Sequence, residues 1–135
     1  MHGKEIKGIA HVDQQGKFRL SVRDQKAKNT NDAARRLTYV TIRAHEQLTG
    51  DANASSKDVI VPILSIWRCY TGNTRLALAN DKGIHRNEGL LGLDTPAKEE
   101  ADRFMKEMLD DKIEGAWKPA ASSGKSKKAA TKSAK

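Results

Sequence analysis

Four histidines, one cysteine and a few neighbouring carboxylates are the side chains of this 135-residue chain that could carry catalysis or hold a metal. Their spacing gives them no such chemistry. His2, His11, His45 and His85 pair neither with one another nor with Cys69 at zinc-ligand intervals. A lone cysteine builds no internal disulfide framework and no cysteine zinc site, and it fits a reducing cytoplasm. Arg68 beside Cys69 would lower a thiol pKa, but the run around it is apolar and supplies no base. Glu99 with Glu100, and Asp110 with Asp111, read as solvated charge on a helix surface. There is no GxxxxGK[ST] phosphate loop, no GxGxxG and no GxSxG elbow. The expectation is a protein that is not an enzyme, with no cofactor and no metal.

Binding chemistry is better represented. Tyr70, beside Arg68 and close to Asn73 and Arg75, brings together a stacking ring, two cations and a base-reading amide. Aromatic platforms flanked by basic groups are how sheets hold single-stranded nucleic acid. The net charge of +8 agrees with a polyanionic partner, but it is unevenly distributed. Residues 118–135 hold six lysines and no acid, residues 1–50 carry +5 and residues 51–117 carry −3. The lysine-rich end, from Lys118 and Pro119 onward, has no apolar side chain larger than alanine beyond its proline, so a disordered tail is expected after a single domain over 1–117. With a mean hydropathy of −0.71 and no long apolar run, neither a membrane span nor a secretory signal is expected.

The elements that must position these groups read as an α+β domain. Four stretches look like strands: residues 5–12, 17–23, 36–44 and 59–70, the last continuing or pairing back over 74–79. A turn signal at residues 13–16 joins the first two. Phe18, Leu20 and Val22 alternate with Lys17, Arg19, Ser21 and Arg23. Tyr39, Val40, Thr41 and Ile42 give the third stretch its β-propensity, and Pro62 marks a bulge or edge in the fourth. Residues 48–57 read as an exposed loop. A helix follows Asp94, with Thr95 as N-cap, Pro96 at the first turn and Gly115 as the stop. Ala101, Phe104, Met105, Met108 and Leu109 form its apolar stripe, which would cover this chain's sheet or a partner's.

In their order, these pieces resemble the coat proteins of single-stranded RNA bacteriophages, from about residue 17 to residue 109. The similarity rests on the strand Phe18-Arg19-Leu20-Ser21-Val22-Arg23, the strand over 35–42, the small-residue loop over 46–57, the tetrad Trp67-Arg68-Cys69-Tyr70 and the helix opening Asp94-Thr95-Pro96. The resemblance implies an antiparallel sheet whose C-terminal helix clasps a second subunit. Its stripe of Ala101, Phe104, Met105, Met108 and Leu109 would then lie at a homodimer interface. It also implies a capsid protein, assembled in the host bacterial cytoplasm into an icosahedral virion shell around single-stranded RNA. Tyr70 would stack on a base of an RNA hairpin, Asn73 would lie near the amide position, and Ser21 and Thr38 would contact RNA through their hydroxyls. Arg19, Arg23, Arg43, Arg68 and Arg75 would reach phosphates. The alternatives are a small non-capsid RNA- or single-strand-binding module, for example ribosome-associated, and an accessory subunit of an enzyme.

Overall fold

Asn29 opens a 20-residue helix, α1 (Thr30–Thr49), around which the rest of the chain is built. The Asn29 side chain accepts the backbone N–H of Asp32 at 2.8 Å, and Gly50 closes the helix in a left-handed conformation. Eleven of its residues are buried, among them Ala33, Leu37, Tyr39, Val40, Ile42 and Ala44. Burial on so many sides makes it a central helix rather than a surface one. The fold is known from a computed structural model that describes residues 5–22, 25–110 and 112–113.

Ahead of α1 lies a small antiparallel sheet of β1 (Glu5–Ile6), β2 (Ala10–Val12) and β3 (Phe18–Leu20). It packs Ile9, Ala10 and Val22 into the core. The turn between β2 and β3 is held by Asp13, whose carboxylate accepts the N–H groups of Gln15 and Lys17 and the Arg19 side chain. Those bonds, the Lys17 backbone donor first, hold its pKa below the usual value.

After α1 the chain runs through β4 (Ala54–Ser55), a π-helical turn (Ser56–Ile60), α2 (Val61–Ile66), α3 (Gly72–Ala79), β5 (Ile84–Asn87), β6 (Leu90–Leu93) and α4 (Thr95–Met108). The wide turn accommodates Pro62, which has no N–H to return to the preceding turn. β5 and β6 form a hairpin whose two loop residues, Glu88 and Gly89, have φ of 53° and 83°. That is the twist-matched turn of a tight hairpin. β4 pairs with β6, so the sheet order is β4-β6-β5.

α4 lies against α1. Asp94 caps it, accepting the Ala97 N–H at 2.8 Å, and Ala97, Ala101, Phe104, Met105 and Met108 are buried. Burying each of the larger side chains contributes about 1.5–3 kcal/mol. Arg36 bridges the two helices, meeting Glu107 at 2.7 Å and Asp32 at 3.2 Å over the Phe104 ring. Arg43 does the same further along, with Asp102 at 3.0 Å.

The antiparallel α+β character, the β2–β3 hairpin and the helix after Asp94 agree with the sequence reading, although residues 5–12 are not one strand but fold back on themselves as β1 and β2. The helix cap is Asp94 rather than Thr95. Three expectations are corrected. Residues 36–44 are not a strand but the middle of α1, because burial on several sides outweighs the β-propensity of Tyr39, Val40, Thr41 and Ile42. Residues 59–70 and 74–79 are not a long strand but α2, a turn and α3. Ala101, Phe104, Met105 and Met108 do not face a partner: α1 of the same chain covers them, and only Leu109 is half exposed. The segments on which the coat-protein resemblance was drawn as sheet are thus largely helical. Arg23 and the lysine-rich tail lie outside the described residues.

Candidate nucleic-acid interface

α2 and α3 are joined by residues 67–71, a turn with its own internal logic. Trp67 ends α2, and Arg68 follows in a left-handed conformation with φ of 61°. The Arg68 N–H reaches Ser65 O at 3.0 Å, and the Cys69 N–H reaches Leu64 O at 3.0 Å. This is the Schellman termination, with arginine where glycine is usual. Cys69 is fully buried beneath the turn, and burial pushes its thiol up to about 11. Thr71 then starts α3 through a capping box with Thr74. Thr74 and Leu78 are buried, anchoring α3 on the core, while Asn73, Arg75, Leu76, Ala77 and Ala79 are exposed.

The far end of α3 is fixed as firmly. Asp81 accepts the Tyr39 hydroxyl at 2.7 Å, the Gly83 N–H at 2.9 Å and Arg35 Nε at 3.3 Å. A Cβ on Gly83 would come within 2.7 Å of the Tyr39 hydroxyl, so this close approach requires glycine. Burial first, and then the bond to Asp81, push the Tyr39 phenol up to about 12.

Between α3 and the hairpin runs an open groove of about 620 Å³ lined by Tyr70, Gly72, Arg75, Leu76 and Arg86. Arg75 lies 5.9 Å from the Tyr70 ring centre. Arg75 and Arg86 line this groove, Lys57 lies near Tyr70 in the neighbouring depression, and Arg68 is exposed on the turn; none of the four joins an ion pair among the described residues, nor does exposed Lys82, which lies beside Arg35, Tyr39 and Glu100. On the opposite side Arg35, Arg36, Arg43, Lys98 and Arg103 are each engaged by a carboxylate. Arg35, Arg36, Arg43 and Lys98 thus tie α1, α4 and the loop after α3 together and Arg103 pairs within α4, while Lys17, Lys28, Lys106 and Lys112 are exposed outside any ion pair among the described residues, as the cations beside the groove are.

Of the residues expected at an RNA site, the structure brings together Arg68, Tyr70, Asn73 and Arg75. It does so on a turn and a helix rather than a strand. The others lie elsewhere. Arg19 pairs with Asp13 at 3.1 Å on the first hairpin, where the Ser21 hydroxyl meets His11. Thr38 is wholly buried in α1 and reaches no ligand. Arg43 is committed to Asp102 and Glu46, which leaves it no free edge for a phosphate. Sequence reading missed Lys57, Leu76, Lys82 and Arg86. The capping pair Thr71 and Thr74, and the Asn87-Glu88-Gly89 turn, were the signals that would have placed them.

Among the described residues no cluster of His, Cys, Asp or Glu could hold a metal ion, and no helix is long and apolar enough to cross a membrane. No protein-family model, curated protein or solved structure matches the chain.

Proposed function

We propose that this chain binds nucleic acid, and that its partner is duplex DNA gripped by α3 and the β5–β6 hairpin. The observation that carries this reading is the order helix, strand, helix, helix, hairpin, with β4 pairing to the hairpin's second strand. That is the arrangement of winged helix–turn–helix domains. In a helix–turn–helix the second helix of the pair enters the major groove, here α3. Arg75 on α3 and Arg86 on the hairpin, neither in an ion pair, line one groove, which supports phosphate contacts on either side of an inserted α3. Phosphate contacts of this kind supply affinity that falls steeply with salt.

Fluorescence anisotropy with the full-length chain tests the proposal, using a labelled duplex, its single strand and an RNA hairpin. Duplex binding is expected to be tightest, and Arg75→Glu with Arg86→Glu should abolish the preference for duplex. Equal binding of all three probes, unchanged by the substitutions, would contradict it. Size exclusion of the same preparation tests the coat-protein expectation, since uniform particles containing RNA would favour a capsid over a DNA-binding protein.

A further inference from the structure

The outer surface of α3 is unusual for a helix surrounded by cations. Thr74 and Leu78 mark its inner side. Leu76 lies about 200° around the helix from Thr74, directly outward, with Gly72 one turn before it and Ala79 one turn after it. Leu76 is 63% exposed. Asn73 and the capping residue Asn80 flank this stripe on one side and Arg75 on the other. A Cβ at Gly72 would meet nothing within 4 Å, and its φ is not in the left-handed range, so the chain's own fold does not require glycine there. Gly72 therefore leaves that end of the stripe without a side chain, open to close approach.

We infer that α3 reads A·T base pairs, with Leu76 and Ala79 against thymine methyl groups and Asn73 and Asn80 against adenine edges. This rests on the reading that the face takes duplex DNA. The major-groove edge of an A·T pair offers the thymine C5-methyl group and the adenine N6 donor and N7 acceptor. An exposed leucine matches the first, and an asparagine amide matches the other two in a bidentate pair. A guanine-reading helix would instead present several arginines or lysines, and α3 carries only Arg75, placed at the edge beside Tyr70. The slim stripe lets the helix sit deep in the groove while the surrounding cations hold the phosphates. Position and selectivity are thereby divided between different residues.

Selection from a random duplex library with the full-length chain, at physiological salt, tests the inference. Duplexes enriched in A·T steps are expected. Replacing thymidine by deoxyuridine in the selected duplex should weaken wild-type binding by about fourfold for each contacted methyl group. Leu76→Ala should lose the share of that sensitivity owed to its own methyl contact and keep the share owed to Ala79. Asn73→Ala should lose about five- to a hundredfold of the preference for A·T over G·C. Both side chains are exposed, so thermal melts of the variants should match wild type. Duplex binding without sequence preference, or indifference of the wild type to deoxyuridine, would overturn base reading while leaving the interface in place. Absence of any duplex binding would overturn the interface itself, and base reading with it.

Discussion

Arg68 occupies a backbone conformation that favours glycine, with φ of 61°, yet its side chain is exposed and outside any ion pair among the described residues. A left-handed conformation costs a non-glycine residue about 1 kcal/mol. Arg68→Gly should therefore raise stability by up to about 1 kcal/mol in urea unfolding. It should also weaken duplex binding and lower the salt slope by about one. A stability loss would show that the arginine serves the turn. Cys69 just beyond it is buried with its thiol pushed up to about 11, so a thiol-exchange reagent at neutral pH should label it only as the chain unfolds. Labelling of the folded protein at the rate of a free thiol would contradict its placement. Tyr39 makes a claim about alkaline pH. Its folded pKa lies above the ordinary value of 10, so the protonated phenol is the form that folding favours. The stability this supplies is complete below pH 10 and is lost as pH rises from there to about 12. Tyr39→Phe should flatten that decline in urea midpoints, and identical profiles for the two proteins would remove the Tyr39–Asp81 bond from the account.

At the scale of elements, α4 shows what a sequence can display. Its cap, its proline and its repeat at three and four residues are local signals, and the helix starts within a residue of where they place it but ends at Met108, well before the expected stop at Gly115, which lies outside the described residues. What covers its stripe was not local information: this chain's sheet or a partner's was expected, the partner's on the resemblance, and α1 of the same chain is found. Phe104→Ala should therefore destabilise the monomer by about 3–5 kcal/mol rather than release folded monomers from a dimer, because it empties a buried site packed against Tyr39. Circular dichroism at several protein concentrations distinguishes the two outcomes. α1 was hidden by the opposite problem. Tyr39, Val40, Thr41 and Ile42 are strand formers, but Asn29, Asp32 and Gly50 are end signals, and Ala33, Leu37, Val40, Ala44 and Leu48 recur at helical intervals. The β-branched run is tolerated because tertiary burial outweighs intrinsic propensity. α2 and α3 were hidden by Pro62 and by an apolar run too short for its period to be decisive. The cluster of Arg68, Tyr70, Asn73 and Arg75 was visible in the sequence because turn and helix keep near neighbours together. Lys57 and Arg86 join it only through the fold.

Across the whole molecule, charge is sorted by use. Arg35, Arg36 and Arg43 reach from α1 to Glu100, Glu107 and Asp102 of α4 and act as struts, worth little individually where solvent reaches them. The cations around α3 and the hairpin are left to meet an external anion. The six lysines of residues 118–135 add further positive charge with no acid beside it in the sequence. Neutralising them all to glutamine should lower affinity for every nucleic acid alike without changing the preference for duplex, since such contacts carry no base information. Loss of the duplex preference in that variant would move recognition from α3 to the tail. The most direct test of the central claim is a titration of the isotope-labelled full-length chain with a short duplex, followed by amide chemical shifts. The largest changes are expected within residues 56–58, 67–82 and 85–90, with residues 5–20 and 97–108 little changed. Changes concentrated on the first hairpin or on α4, with α3 silent, would contradict the account.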